Sequence, residues 1–135
     1  MRLLVDTQVL IWEVLDPARL SPAASAAIDR EIEDQEPLGV SAFSLVEIAY
    51  AVEKASNPMT SLDRDRILLL LRDAEAPFEV LPVDMAVAAQ VGRVPRSANA
   101  DPGDRIIVAT VEVHGLGLIS ADRKIPGMTK QEVIW

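Results

Sequence analysis

Short, unbroken apolar runs separated by helix-like segments constrain this chain more than any other feature. Leu3-Leu4-Val5, Leu38-Gly39-Val40-Ser41, Glu79-Val80-Leu81-Pro82-Val83 and Leu116 to Ser120 are too short for buried helices and do not alternate like half-solvated strands. Such runs suit strands buried on both faces, as in a parallel sheet covered by helices. Val133-Ile134-Trp135 is a candidate fifth strand.

The intervening segments carry helix starts and stops. Thr7 to Leu15 reads as a helix stopped by Asp16-Pro17. Ser21 caps a second, with Pro22 at its first position, running to about Glu33. Ser44 and Glu47 have capping-box spacing and open a third carrying Ile48, Ala51, Val52 and Ala55, broken at Ser56-Asn57-Pro58. Thr60 or Ser61 caps a fourth, with Ile67, Leu68, Leu70 and Leu71 toward the core. Asp84 caps a fifth through Val91. After the breaker-rich loop from Pro95 to Gly103, a sixth runs from about Pro102 to Val113 and stops at His114-Gly115. Strands alternating with helices imply right-handed crossovers. The expected fold is α/β: a three-layer sandwich with a central, short parallel sheet of four to five strands flanked by helices. One domain is expected over residues 1–135.

Composition narrows the function. Half the residues are apolar, enough for a real core, and the net charge of −8 disfavours nonspecific binding to nucleic acid or anionic lipid. A locally basic groove remains compatible with that charge. There is no cysteine, which rules out disulfides and thiolate metal sites. Met1-Arg2-Leu3-Leu4-Val5 meets Asp6 before a signal-peptide core can form, and no stretch approaches the length of a membrane span. A cytoplasmic protein without membrane contact is expected.

Five acids fall where such folds gather ligands, at the carboxyl ends of the strands. Asp6 ends the first strand, and Asp122 follows the fourth by two residues. Glu47 lies in the first turn of the expected third helix, and Asp101 and Asp104 stand at the mouth of the sixth. Each has a structural reading: Asp6 and Asp101 as caps, Asp104 reaching back to the cap backbone, Glu47 completing a capping box, Asp122 in a turn. Together they do more. Two carboxylates about 4 Å apart repel by about 4 kcal/mol at an effective dielectric near 20. Several at one sheet edge therefore take up protons or require a cation. All-oxygen ligands favour a hard ion that keeps waters, Mg²⁺ or Mn²⁺ over zinc. Such a site suits phosphodiester hydrolysis, in which the metal activates water and neutralises charge.

The chain resembles PIN-domain nucleases, and among them the VapC-type toxins of toxin–antitoxin pairs, over nearly its whole length. Leu-Leu-Val-Asp-Thr-Gln-Val-Leu-Ile-Trp, from Leu3 to Trp12, is similar to the family's opening. Asp16 to Ser21 looks like its following turn, and Ser41 to Ala49 like its Glu-bearing segment. Asp101-Pro102-Gly103-Asp104-Arg105, with Ile107, Ala109 and Gly115-Leu116, looks like its Asp-Pro-x-Asp-Arg helix. Leu118-Ile119-Ser120-Ala121-Asp122 resembles its late Asp-bearing element. The resemblance implies a metal-dependent endoribonuclease that leaves a 5′-phosphate. It also implies a small VapB-like antitoxin partner that blocks the site and lends DNA binding to a hetero-oligomeric complex. Asp6, Glu47, Asp104 and Asp122 fall on the catalytic, metal-binding quartet, with Asp101 a further metal-binding acid. Gln8 departs from the His, Asn or Ser common in relatives. Gly103 replaces a bulky residue and is expected to loosen the loop, leaving open whether Asp101 or Asp104 ligates more directly.

Beside these acids, Thr7, Ser120 and Arg105 are candidates to position substrate, and Arg93, Arg96, Arg123 and Lys124 are loop cations or phosphate contacts. His114, the lone histidine, suits a helix C-terminus. Trp12 and Trp135 suit core or interface. Apolar residues between 44 and 71 exceed one small core and point to a homodimer face or an antitoxin groove. Two other functions compete. Phosphoryl transfer through an aspartyl-phosphate at Asp6 wants a second acid where Gln8 stands, and a binding module would use the acidic pocket only as a socket for a partner.

Overall fold

Each strand of the sheet alternates its side chains between two helical layers, and this sets the architecture. Residues 1–56, 58–96 and 101–135 are described in the computed structural model, so Asn57 of the expected helix break and Asn99-Ala100 of the breaker-rich loop lie outside the described residues. The elements are β1 (Leu3–Val5), α1 (Thr7–Leu15), α2 (Pro22–Glu33), β2 (Leu38–Ser41), α3 (Ala42–Glu53), α4 (Ser61–Arg72), β3 (Phe78–Leu81), α5 (Met85–Val91), α6 (Pro102–His114), β4 (Gly117–Ile119) and β5 (Val133–Ile134). Single 3₁₀ turns cover Pro17–Arg19 and Ile125–Gly127. The five strands run parallel in the order β3-β2-β1-β4-β5.

Leu3 and Val5 join Leu38, Val40 and Ile119 beneath α1, α2, α3 and α4, where Leu10, Ile28, Ile48 and Ile67 are buried. Leu4, between them, turns to the opposite face and packs with Leu81, Leu118, Val87 of α5 and Ile107, Val108 and Val111 of α6. A period of two along β1 thus builds both cores. No helix among the described residues is long and apolar enough to cross a membrane.

Polar side chains fix the helix starts. Asp6, Ser21, Thr60 and Asp84 accept from the third backbone N–H beyond them, and Thr60 with Asp63 forms a reciprocal capping box. At its far end α6 stops at Gly115, whose φ of 64° is the left-handed region that favours glycine. Arg2 binds both Glu31, which is buried, and Asp34 near the end of α2, pinning that helix to the start of β1. Trp12 of α1 meets Trp135 at 5.5 Å between ring centroids and an interplanar angle of 39°, with the Arg19 guanidinium 4.9 Å above the Trp12 ring.

Two expected boundaries and one expected core face differ in the structure. The helix expected from Ser44 begins at Ala42, because Ser41, ending β2 in an extended conformation, caps it directly by accepting from Phe43 N at 3.2 Å. Ser44 is instead fully buried within the first turn and Glu47 stands in the second, so the expected capping box between them does not form. The third strand ends at Leu81 rather than Val83, since Pro82 has no N–H for a ladder. On α4 only Ile67 is fully buried; Leu68, Leu70 and Leu71 are half-buried.

Because Ser41, not Ser44, caps α3, Ser41→Ala is expected to lower stability by about 1 kcal/mol in urea unfolding. An unchanged midpoint would show that α3 starts elsewhere.

Candidate metal centre

Strand order reverses between β1 and β4: the chain builds outward from β1 through β2 to β3, then returns to lay β4 on the other side. The crevice at such a reversal is where open parallel sheets take ligands. Here it is a cavity of about 440 Å³ lined by Asp6, Glu47, Asp104 and Asp122, with Gln8 and apolar Ile11, Ile107 and Ile125.

Each acid is positioned by the element it terminates or begins. Asp6 follows β1 and donates its backbone N–H to Ile119 O at 3.1 Å, continuing the ladder to β4. Its Oδ1 accepts from Val9 N at 3.0 Å, capping α1, and its Oδ2 accepts from the Ser120 hydroxyl. Ser120 Oγ in turn accepts from Asp122 N at 3.1 Å, and Asp122 Oδ1 accepts from Lys124 N at 2.9 Å. The turn after β4 is therefore wound around the same serine that holds Asp6.

Glu47 reaches the cavity from the second turn of α3, and its Oε2 accepts from the Thr7 hydroxyl. Thr7 Oγ1 also lies 2.9 Å from Ser44 Oγ. A hydroxyl has one hydrogen. The charged carboxylate is the stronger acceptor, so Thr7 donates to Glu47 and the Ser44 hydrogen fills the contact behind it. Ser41, Ser44 and Glu47 recur at intervals of three residues, a spacing that puts them on neighbouring turns of one helix face. That spacing was the available signal for Ser44, which sequence reasoning assigned to a cap.

The two acids of α6 part company. Asp101 is the N-cap, accepting from Gly103 N at 3.0 Å; it is exposed and outside the lining of the cavity. Asp104, one turn in, lines it. Gly103 between them is buried rather than a loosened loop residue. A Cβ built on it would lie 2.5 Å from Glu47 Oε1 and 2.9 Å from Phe43 Cε1. Close approach to the Glu47 carboxylate occupies the space where a bulkier side chain would stand.

Arg105 points elsewhere. Its Nη2 donates to Val91 O at 2.9 Å and Val94 O at 3.2 Å, tying α6 to the end of α5, and its buried Nε has no hydrogen-bond partner among the described residues. His114 is exposed at the last position of α6.

The electrostatics follow from crowding. Burial raises the Asp6 carboxyl above its ordinary range, hydrogen bonds from Ser120, Val9 and Gln8 oppose the rise, and the Asp122 charge adds to it. Glu47 is raised by burial, against the Thr7 bond, and further by Asp101, Asp104 and Asp6. Asp104 is raised by burial and then by Asp122 and Asp101, with Lys124 acting the other way. Carboxyls crowded in this way are relieved by taking up protons or by a cation.

Among the described residues no three acids stand close enough together to clasp an ion directly. A hard ion such as Mg²⁺ keeps several of its waters and binds protein through one or two carboxylates. The donor set is all oxygen, as such an ion prefers.

Comparison with known proteins identifies the fold. The PIN domain family model matches residues 3–130. The chain is 33% identical over 122 residues to Ribonuclease VapC22 of Mycobacterium tuberculosis, covering 90% of this chain and 88% of that one. In fold it is similar to VapBC2 from Rickettsia felis bound to a promoter DNA fragment, with a TM-score of 0.71 and 11% identity over 98% of this chain and 97% of that one. It is also similar to FitAcB from Neisseria gonorrhoeae, with a TM-score of 0.64 and 25% identity over 97% and 95%. With nearly all its length matched and its acids set at the strand-order reversal, this chain belongs to the PIN domain family.

Proposed function

We propose that the chain is a metal-dependent endoribonuclease and the toxin of a toxin–antitoxin pair. The observation that carries this reading is the meeting of Asp6, Glu47, Asp104 and Asp122 around one cavity at the strand-order reversal. Similarity to a ribonuclease along 90% of the chain supports it.

Mg²⁺ or Mn²⁺, when bound, supplies a water acidified toward neutral pH and charge neutralisation at the scissile phosphate. The chain's residues supply the rest. Asp6 is presented with both oxygens hydrogen-bonded, so its orientation is fixed before any ligand arrives. Thr7 and Ser44 do the same for Glu47 from behind. Asp104 and Asp122 face each other electrostatically across the cleft and complete the acidic ring. Asp101 serves this ring from its rim, as the cap that starts α6 and a charge on Glu47 and Asp104. Ser120 and Thr7 orient acids through their hydroxyls, and Arg105 braces α6 against the end of α5.

The partner in this reading is a small VapB-like antitoxin, with DNA bound only through it; two structures of similar fold are VapBC complexes with DNA. A homodimer is part of the same reading. Val46 and Tyr50, one turn apart on α3, and Leu62 and Leu69, two turns apart on α4, expose apolar surface, Tyr50 and Leu69 by 61% and 73%.

RNA cleavage is expected with Mg²⁺ or Mn²⁺, and unchanged turnover in EDTA would overturn the metal requirement. Asp6→Asn keeps a capping oxygen and should stay folded, while cleavage falls to background together with Asp104→Asn. Thr7→Val, which removes the hydrogen bond at nearly equal volume, should weaken Mn²⁺ binding by about 10- to 100-fold. Light scattering at micromolar concentration should give twice the chain mass, and Tyr50→Asp should shift it toward the monomer.

A further inference from the structure

Two observations on Glu47 converge on a residue that has no side chain. Its Oε2 accepts from Thr7, and its Oε1 rests where a Cβ of Gly103 would be, 2.5 Å from that position. The Glu47 Cδ would lie 3.3 Å from the same Cβ, and Phe43 Cε1 2.9 Å. Gly103 is buried at the second position of α6, immediately before Asp104. Its backbone conformation is helical and does not require glycine, since it is not among the positive-φ residues. Glycine inside a helix costs up to about 1 kcal/mol relative to alanine. Something other than the backbone therefore accounts for glycine here, and the space it leaves is taken by a Glu47 carboxylate oxygen, with the edge of the Phe43 ring beside it.

We propose that Gly103 is a positioning residue: its missing side chain lets α3 bring the Glu47 carboxylate against the start of α6, beside Asp104 and within reach of Thr7. Glu47 is then clamped from two sides, by a hydrogen bond on Oε2 and by van der Waals contact on Oε1. A methyl at residue 103 cannot share that space at 2.5 Å. Ordinary contact lies at 3.4 Å or more, so either the carboxylate or the α3–α6 packing must give way. The flexible end of the glutamate gives first, which would break its bond to Thr7 and turn it from the cleft.

The consequence for metal binding rests on the nuclease reading above; the placement of Glu47 does not. A crystal structure of Gly103→Ala should therefore show Glu47 Oε1 displaced by about 1 Å and the Thr7 bond lost. A glutamate that keeps its place and its bond overturns the proposal, whatever the protein does with metal. Mn²⁺ titration followed by electron paramagnetic resonance adds a second readout. Gly103→Ala should weaken Mn²⁺ binding by about tenfold in the native chain and by much less in a Glu47→Asp background, whose shorter side chain leaves the methyl room. Equal weakening in both backgrounds would mean a general structural effect and overturn the proposal. A native protein that is folded but takes no Mn²⁺ would defeat the metal reading, and the crystal structure would still decide the role of Gly103. Should Gly103→Ala not fold, Gly103→Ala with Glu47→Ala and Phe43→Leu should fold, because both atoms that the methyl meets within 3.0 Å are gone; failure there too overturns the proposal.

Discussion

One carboxylate joins three elements of this protein. Asp6 continues the β1–β4 ladder through its backbone, starts α1 with one oxygen and holds the turn after β4 with the other. Everything the cleft contains is placed relative to it. Because β1 is buried on both faces, its end cannot shift without disturbing two cores at once. The site inherits that rigidity. A negative charge buried to this degree is costly unless it is compensated. The hydrogen bonds that compensate Asp6 come from a helix start and from Ser120, which itself accepts from the backbone of Asp122.

The same economy explains how much could be read from the chain alone. The helix caps at Asp6, Ser21, Thr60, Asp84 and Asp101 were legible because a polar side chain before an apolar periodic run has few other uses. The strands were legible because only a two-sided sheet explains continuous apolar runs of three to five residues. Ser44 was misplaced for a physical reason. Local spacing cannot distinguish a serine that caps from one that is buried behind a threonine thirty-seven residues away. The strand-ending Ser41 stood ready to cap without a loop.

Gly103 marks the other limit. In sequence, glycine beside proline reads as a breaker and a source of looseness. Its meaning here depends on a carboxylate arriving from a helix more than fifty positions earlier, which is a tertiary fact. Arg105 is a similar case. An arginine next to a catalytic-looking aspartate suggests phosphate, yet helical geometry turns it toward the carbonyls that close α5. In both cases the neighbouring residue in sequence was the wrong guide to the neighbouring residue in space.

The protein has two tryptophans, and they touch each other. Trp12 lies on the helix that Asp6 starts and that carries Gln8 and Ile11 into the cleft, while Trp135 follows the edge strand β5. All the indole emission of the molecule therefore originates at one junction, between the first helix and the last strand. Native fluorescence is in effect a single-site optical gauge of how α1 seats on the sheet, built in beside the cleft and requiring no label.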